Sequence, residues 1–535
     1  MMGKAKDLYA RVGLSQIPHI ISLVDRHRLS PTYGCFDRGF WHYKTAPFPS
    51  GMSQEFVLPL ALVFKFEFPG GHRYFQQPRL RELVEAGIGF AARSSHRDGS
   101  CDDYFPYEKA LGAAAFSLYA MTESYLLLEL QRPDFLEFFR KRGGWLASHQ
   151  ESGRLSNHQA LVVLALYNLF LLTGDQRFEQ AARERLGLLL GWQSPEGWFP
   201  EYEGCDPGYL TATIDFLAKY ELKSKDERVR EALERAIDFL DKFVHPDGTC
   251  GGEYGSRNTY LFFPHGLELC SRWNPLARQI ADRYIRGLER GNRVHLDDDR
   301  LCAHLSYDHL QAFLDHGGMG EDREIPAPQS LRYYFTHSRL FVQREGDDHF
   351  VVSAAKGGCV SLHRKGRLVY SDSGLVAKLS NGKVLVSHLV DDYHVIVGED
   401  GIQVGGHFGE ARFHVPGPVS QAFFHLGMCS LGKWKSDLVR RLLQRILIVG
   451  KRRHPMRFRR SFTVSDRVTL VDEVWLPEKG NLKVKELWAG TDHTSIYVAM
   501  SRLYRPGCLL PWTDYGFVLP SLNRDGYGRV ERVLG

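Results

Sequence analysis

Ser156-Asn157-His158-Gln159 opens an apolar run, Ala160–Leu172, and Glu203-Gly204-Cys205-Asp206-Pro207-Gly208-Tyr209 opens a second helical stretch about fifty residues later. Ser156 with Gln159 spells a capping box, S-x-x-Q, which predicts Asn157 and His158 in the first turn of a helix. Asp206 followed by Pro207 reads as N-cap and first helical position, so Tyr209 also falls in a first turn. Two helices thereby begin with polar, chemically capable side chains beside unpaired N–H groups and a positive dipole end, a place suited to an anion. The plainer alternative is that these residues only cap helices.

On either side of this stretch, residues 1 to about 320 read as helices in pairs: 5–27 with 53–65, 77–96 with 107–128, 133–149 with 156–173, 175–193 with 207–221, 226–244 with 259–272, and 274–290 with 301–316. Val229, Leu233, Ala236, Leu240 and Phe243 show the three- and four-residue spacing on which these assignments rest. A turn recurs between partners: His96-Arg97-Asp98-Gly99, Gln150-Glu151-Ser152-Gly153, Ser194-Pro195-Glu196-Gly197 and His245-Pro246-Asp247-Gly248. Its glycines stand 54, 44 and 51 residues apart, a degenerate repeat. Glycine just after a helix supplies the left-handed conformation that closes it. The pattern predicts a closed double ring of helices, an (α/α)5-6 toroid, with an open solenoid as the alternative. If the turn-bearing ends share one face, Tyr104–Glu108, Asn157–His158, Tyr202–Tyr209 and Tyr254–Tyr260 converge there as a cleft.

Glu321–Pro328 reads as a linker, placed at 321–330. Beyond it the period changes to two, in Phe350–Ser353, Cys359–His363, Arg367–Tyr370, Lys383–Val386, Tyr393–Val397, Ser461–Val464, Arg467–Val471 and Gly516–Leu519. Residues 331–535 are therefore expected as an antiparallel β-sandwich, giving an α+β multidomain chain.

Composition bounds the function. A chain of 535 residues with 43% hydrophobic and 24% charged side chains is an ordinary globular protein of two or three domains. Its 33 Phe, 24 Tyr and 9 Trp suit sugar platforms, and cores absorb such residues as well. Nine cysteines without a C-x-x-C argue against a disulfide framework or a zinc site. No run reaches membrane-spanning length, and the start MMGKAKDLYARVG lacks a secretory core, so the chain as written reads as cytoplasmic, or periplasmic if a signal has been removed. The net charge of +5 is uneven. Residues 433–460 hold eleven Lys or Arg and a single acid, Asp437, so this is a basic segment and not a nucleic-acid-binding protein.

The Asn157-His158 pair, the later Glu203-Gly204 and Tyr209, and the phrase Val360-Ser361-Leu362-His363 to Tyr370-Ser371-Asp372-Ser373-Gly374 together resemble the heparinase II/III-like polysaccharide lyases. That resemblance spans both domains in order and implies a toroid joined to a β-sandwich. It also implies β-elimination on a uronic-acid polymer; no cofactor is expected. The C5 proton of a uronate becomes acidic when donors neutralise the neighbouring carboxylate, as an oxyanion hole does. Asn157 suits that task, and the resemblance implies the same role. His158, at a positive helix end, is biased toward its neutral, proton-accepting form. Tyr209 is suited to act as base once deprotonated, or to protonate the leaving glycosidic oxygen. Arg257 and Tyr254 are candidates for binding substrate carboxylates, or else surface packing. Tyr104, Tyr107, Tyr202, Glu203 and His265 complete the expected substrate-contacting set. Where the family often carries a His-rich phrase, this chain reads Ser353-Ala354-Ala355-Lys356-Gly357-Gly358, which predicts no metal there. Lys356 is left either to bind a sugar carboxylate or to end a strand.

Residue types do not separate a lyase from a uronate C5-epimerase, which abstracts the same proton. Glycoside hydrolysis needs two carboxylates, which Asp102, Asp103, Glu203 and Asp206 supply, and a non-catalytic polysaccharide-binding protein is a further alternative. Leu438, Val439, Leu442, Leu443, Ile446 and Leu447 recur at helical spacing beside Arg440, Arg441 and Arg445. Residues 436–460 thus read either as an interfacial helix on anionic lipid or as an insert packed on the sandwich.

Overall fold

The computed structural model describes residues 5–535 apart from 152, 203, 296–297, 318–329, 412–414, 416, 434–438, 440–451, 478–481 and 493–502. The expected linker and the apolar positions Leu442, Ile446 and Leu447 fall, almost entirely in the first case, outside the described residues.

Six inner helices are Met52–Phe56 running into Val57–Lys65, then Leu111–Leu127, Ser156–Thr173, Pro207–Ser224, Pro264–Cys270 and Cys302–Asp315. Their sequences are apolar on nearly every side and most of their residues are buried, as a helix walled in by neighbours requires. The outer helices Pro78–Ser94, Pro133–Ser148, Gln176–Gly191, Glu227–Asp241 and Pro275–Glu289 are amphipathic. In Glu227–Asp241 the buried stripe is Val229, Leu233, Ala236, Ile237 and Leu240. The first helix, Asp7–Ser15, lies on the last: Ser306 Oγ donates to the Gly13 carbonyl at 2.9 Å, and a Cβ on Gly13 would meet Leu310 Cγ at 2.6 Å. The ring is closed, which removes the solenoid alternative.

The recurring glycines do a different job from closing helices. The outer helices end earlier, at Ser94, Gly191 and Asp241. Each is followed by the same tight turn: His96 N–H to Ser100 O, Ser194 N–H to Trp198 O, and His245 N–H to Thr249 O, all 2.8–2.9 Å. Gly99, Gly197 and Gly248 sit in these turns at φ +87°, +101° and +82°. Cβ atoms there would lie 2.5 Å from Arg142 N, 2.3 Å from Arg235 O and 2.4 Å from Arg283 O, backbone of the next outer helix. Glycine is needed twice over, for the dihedral and for the close approach.

The C-terminal part is two antiparallel sheets. A five-stranded meander runs Leu331–Phe335, Leu340–Glu345, Asp348–Ser353, Cys359–Arg364 and Arg367–Asp372 in chain order. The larger sheet, nine-stranded among the described residues, has Gly401–Ala411, Arg453–Val464, Val468–Trp475 and Tyr527–Leu534 as successive neighbours. Phe341, Phe350, Val360 and Leu362 share one core with Ile402, Phe458, Phe462 and Leu470. The other face of the meander lies on the toroid, where Leu340, Val342 and Val351 join the helical core. With both faces covered, the central strands read as buried runs: residues 349–353 and 359–363 are all buried rather than alternating.

Two expectations are corrected. Gly516–Leu519 is not a strand: Gly516–Val518 is a 3-10 turn leading into the helix Leu519–Asp525, with Pro520 at its start. Arg453, Arg457, Arg459 and Arg460, read with the helical segment 436–460, lie on the strand Arg453–Val464. Its inward positions alternate through Met456, Phe458, Arg460 and Phe462, a period of two that the dense cations obscure.

Candidate active site

The inner helices begin at the turn-bearing end, and the residues of interest lie at these starts. The capping box is not formed. Ser156 is the first helical residue, and its hydroxyl donates to the Pro200 carbonyl at 2.7 Å. The helix is capped instead from the next repeat. Glu201, on the two-stranded hairpin Pro200–Glu201 with Gly204–Cys205, accepts at Oε1 from Asn157 N at 3.0 Å and from Asn157 Nδ2 at 2.7 Å. The anion suited to this helix end is thus the protein's own carboxylate. Glu201 Oε2 accepts from Arg257 Nη1 at 3.1 Å, and the Arg257 guanidinium lies 3.7 Å from the Tyr209 ring centroid and 4.9 Å from that of Tyr202. Asp206 caps Tyr209 as expected, N–H to Oδ1 at 3.0 Å, and its Oδ2 also takes the Arg257 N–H at 2.8 Å.

Asn157, Glu201, Arg257 and Tyr209 therefore form one buried chain across three successive repeats. Burial pushes the Tyr209 phenol up from its usual value, against the pull of the Arg257 charge beside it. Burial also lifts Asp206 to about 6, although it accepts the Tyr209 and Arg257 N–H groups. Burial alone would lower Arg257; its anionic and phenolic neighbours hold it above its usual value.

His158, next along the helix, is partly open. Its Nδ1 lies 2.7 Å from Glu151 Oε2, and its ring stands edge-on to Phe116. Glu151 thereby engages Nδ1, while Nε2 has no hydrogen-bond partner among the described residues. Beyond Phe116 lies His304, stacked on the same ring at 4.3 Å and within 2.9 Å of Glu55. Burial, then the charge of His158, hold His304 down at about 3, and burial raises Glu55. On the rim, Tyr104 is 51% exposed with Arg300 stacked 4.4 Å over its ring, while Asp103 lies 4.0 Å from Arg300.

The other expected contacts divide. Tyr107, at φ +57°, stacks on His96 near the rim, and Tyr202, at φ +51°, shares Arg257 with Tyr209. Tyr254 does not reach the cleft: it is fully buried, and its hydroxyl meets His245 Nε2 at 2.9 Å beneath the meander. His265 lies inside the ring, bonded to Asp315 at 2.9 Å and near Asp215 and Lys219. Lys356 is spent on the domain interface, donating to Glu253 O, Gly255 O and Asn258 Oδ1 at 2.5–2.9 Å. Glu203 lies outside the described residues. Asp372 of the β-domain phrase is gripped by Arg460 at 2.6 and 2.7 Å, which also holds Asp472 at 2.8 Å.

Glu201, Glu151, Glu55 and His304 were not singled out from sequence. Glu151 stands in the recurring turn and Glu201 seven residues before Gly208, but no spacing rule says whose side chain a carboxylate from another repeat will meet.

No protein-family model matches the chain, and no curated protein does either. Among solved structures, chondroitin AC lyase of Streptomyces coelicolor A3, in complex with chondroitin sulphate, is similar at a TM-score of 0.52 and 12% identity, over 92% of this chain and 72% of that one. A mutant of that lyase gives 0.50 at 12% identity, over 91% and 72%. Heparinase III gives 0.49 at 13%, over 91% and 72%, and a cellobiose 2-epimerase of Bacillus thermoamylovorans B4167 gives 0.42 at 10%, over 57% and 97%. The chain therefore has the (α/α) toroid and antiparallel β-sandwich fold of the chondroitin AC lyase.

Proposed function

We propose that the protein is a polysaccharide lyase that cleaves a uronic-acid-containing polymer by β-elimination at the starts of the inner helices. The observation that carries this reading is the Glu151-oriented His158 beside the Asn157–Glu201–Arg257–Tyr209 chain. In this reading Asn157 and Arg257 neutralise the uronate carboxylate, which acidifies C5. His158 Nε2 takes the C5 proton, the C4–C5 double bond forms, and the C4–O bond breaks. Tyr209, kept protonated by burial, gives its proton to the departing oxygen. The imidazole and phenol are restored by proton exchange with solvent. Tyr104 and Tyr202 offer ring faces to the sugars.

One observation favours a second reading. Glu201 already holds both Asn157 and Arg257, as in a site whose polar groups have become structural, which suits a non-catalytic polysaccharide-binding protein. An elimination assay over a panel of uronate polymers tests the proposal through the ultraviolet absorbance of the conjugated double bond. New reducing ends without that absorbance would point to hydrolysis, binding without product to the second reading, and C5 inversion without chain cleavage to an epimerase.

A further inference from the structure

The loop between the neighbouring strands Gly401–Ala411 and Arg453–Val464 carries the helix Pro418–Gly427, which has no buried residue. Val419 is 68% exposed, Phe423 72% and Leu426 65%, with Val415 open just ahead of it and Phe424 open in part. Ten residues are too few for a helix to persist in water on propensity alone; such a helix needs an apolar face to bury. Among the described residues, the contact with the rest of the chain is slight. Phe424 meets Phe105 edge-on at 5.4 Å, and Lys433 lies 5.9 Å from the Tyr107 ring, both on the rim of the cleft. Isolated exposed hydrophobes are common on proteins; several on one short helix mark a surface that something covers.

We infer that the helix Pro418–Gly427 is an interfacial anchor that lays Val419, Phe423 and Leu426 into the headgroup region of an anionic bilayer. Charge selects this occupant. By sequence residues 412–452 contain eight Lys or Arg and one acid, and Lys433 and Arg452 are the two of these cations among the described residues. From Val415 to Lys433 there is no acid to oppose anionic lipid. Val419 and Leu426 are aliphatic, without the flat face or the flanking amides with which sugars are usually held, which disfavours a polymer as the occupant. The anchor touches the cleft rim through Phe105, so a docked protein would present Tyr104 and Tyr107 close to the membrane surface.

Co-sedimentation with phosphatidylcholine vesicles, with and without phosphatidylglycerol, tests this with the full chain and independently of catalysis. The protein should pellet with the anionic vesicles and be largely released by high salt. Phe423→Ser with Leu426→Ser should weaken binding at least about tenfold, with thermal unfolding unchanged because neither side chain is buried. Absence of pelleting, or equal binding by the double variant, would overturn the inference. So would loss of a dimer by light scattering in that variant, which assigns the face to a second copy. Weakened binding to an acidic polysaccharide with vesicle binding intact would assign it to polymer instead.

Discussion

Tyr209 tests the chemistry most directly. Phenylalanine keeps the ring over which the Arg257 guanidinium lies, so Tyr209→Phe should still fold yet lose about a hundred- to ten-thousandfold in turnover. Full activity in that variant would remove Tyr209 from the mechanism. Glu151 is a positioning residue: Glu151→Gln should lower kcat more than it raises KM, because the carboxylate that holds His158 Nδ1 is replaced by a neutral amide. An equal loss of folded stability in chemical denaturation would assign it a structural role instead. Glu201→Ala leaves Arg257 buried without its carboxylate and should cost about 3–5 kcal/mol in denaturant unfolding. A loss below about 1 kcal/mol would refute this.

Among the helix pairs, the repeating turn separates two roles of glycine. Gly153 at φ +94° has open space where a Cβ would go, whereas Gly197 at φ +101° is pressed against Arg235 O. Gly153→Ala should therefore cost about 1 kcal/mol, from the dihedral alone. Gly197→Ala should cost about 1–3 kcal/mol more, since the next outer helix must move. Equal losses in chemical denaturation would show that the outer helices tolerate displacement. The same turns carry the domain interface: Glu196 accepts from His337 N and Ser338 N at 2.7 and 2.9 Å, and Asp247 accepts from Arg505 at 2.9 Å.

Where the two domains join, the contact between toroid and meander encloses buried histidines, so its stability should fall in acid. His349 donates to Lys242 O at 2.9 Å and packs with His363 and His245, whose rings stack at 4.2 Å, in a region that also holds Asp241, Asp247, Arg283, Arg344 and Arg505. Burial, then the His363 charge, hold His349 down at about 3. Its unfolded value is near 6.5, so between these limits the unfolded chain binds the extra proton. The stability His349 contributes is whole above about pH 6.5 and falls by about 1.4 kcal/mol for each pH unit down to about 3. The difference in unfolding free energy between the parent and His349→Gln, measured across that range, should shrink as pH falls; a constant difference would refute it.

Periodicity alone determined a great deal here. Apolar residues at three- and four-residue spacing, and glycines about fifty apart, define six helix pairs because helix burial and turn geometry are local properties written into each segment. The change to period two beyond residue 330 marks the sandwich for the same reason. Asn157, His158 and Tyr209 were legible as helix starts, since Pro207 and Asp206 signal one directly. Other facts belong to tertiary structure alone: that Glu201 and not Ser156 caps the Asn157 helix, that Glu151 orients His158, and that Tyr254 and Lys356 serve the domain interface. Each depends on which side chain a neighbouring repeat or sheet brings within about 3 Å, and sequence spacing carries no record of that distance.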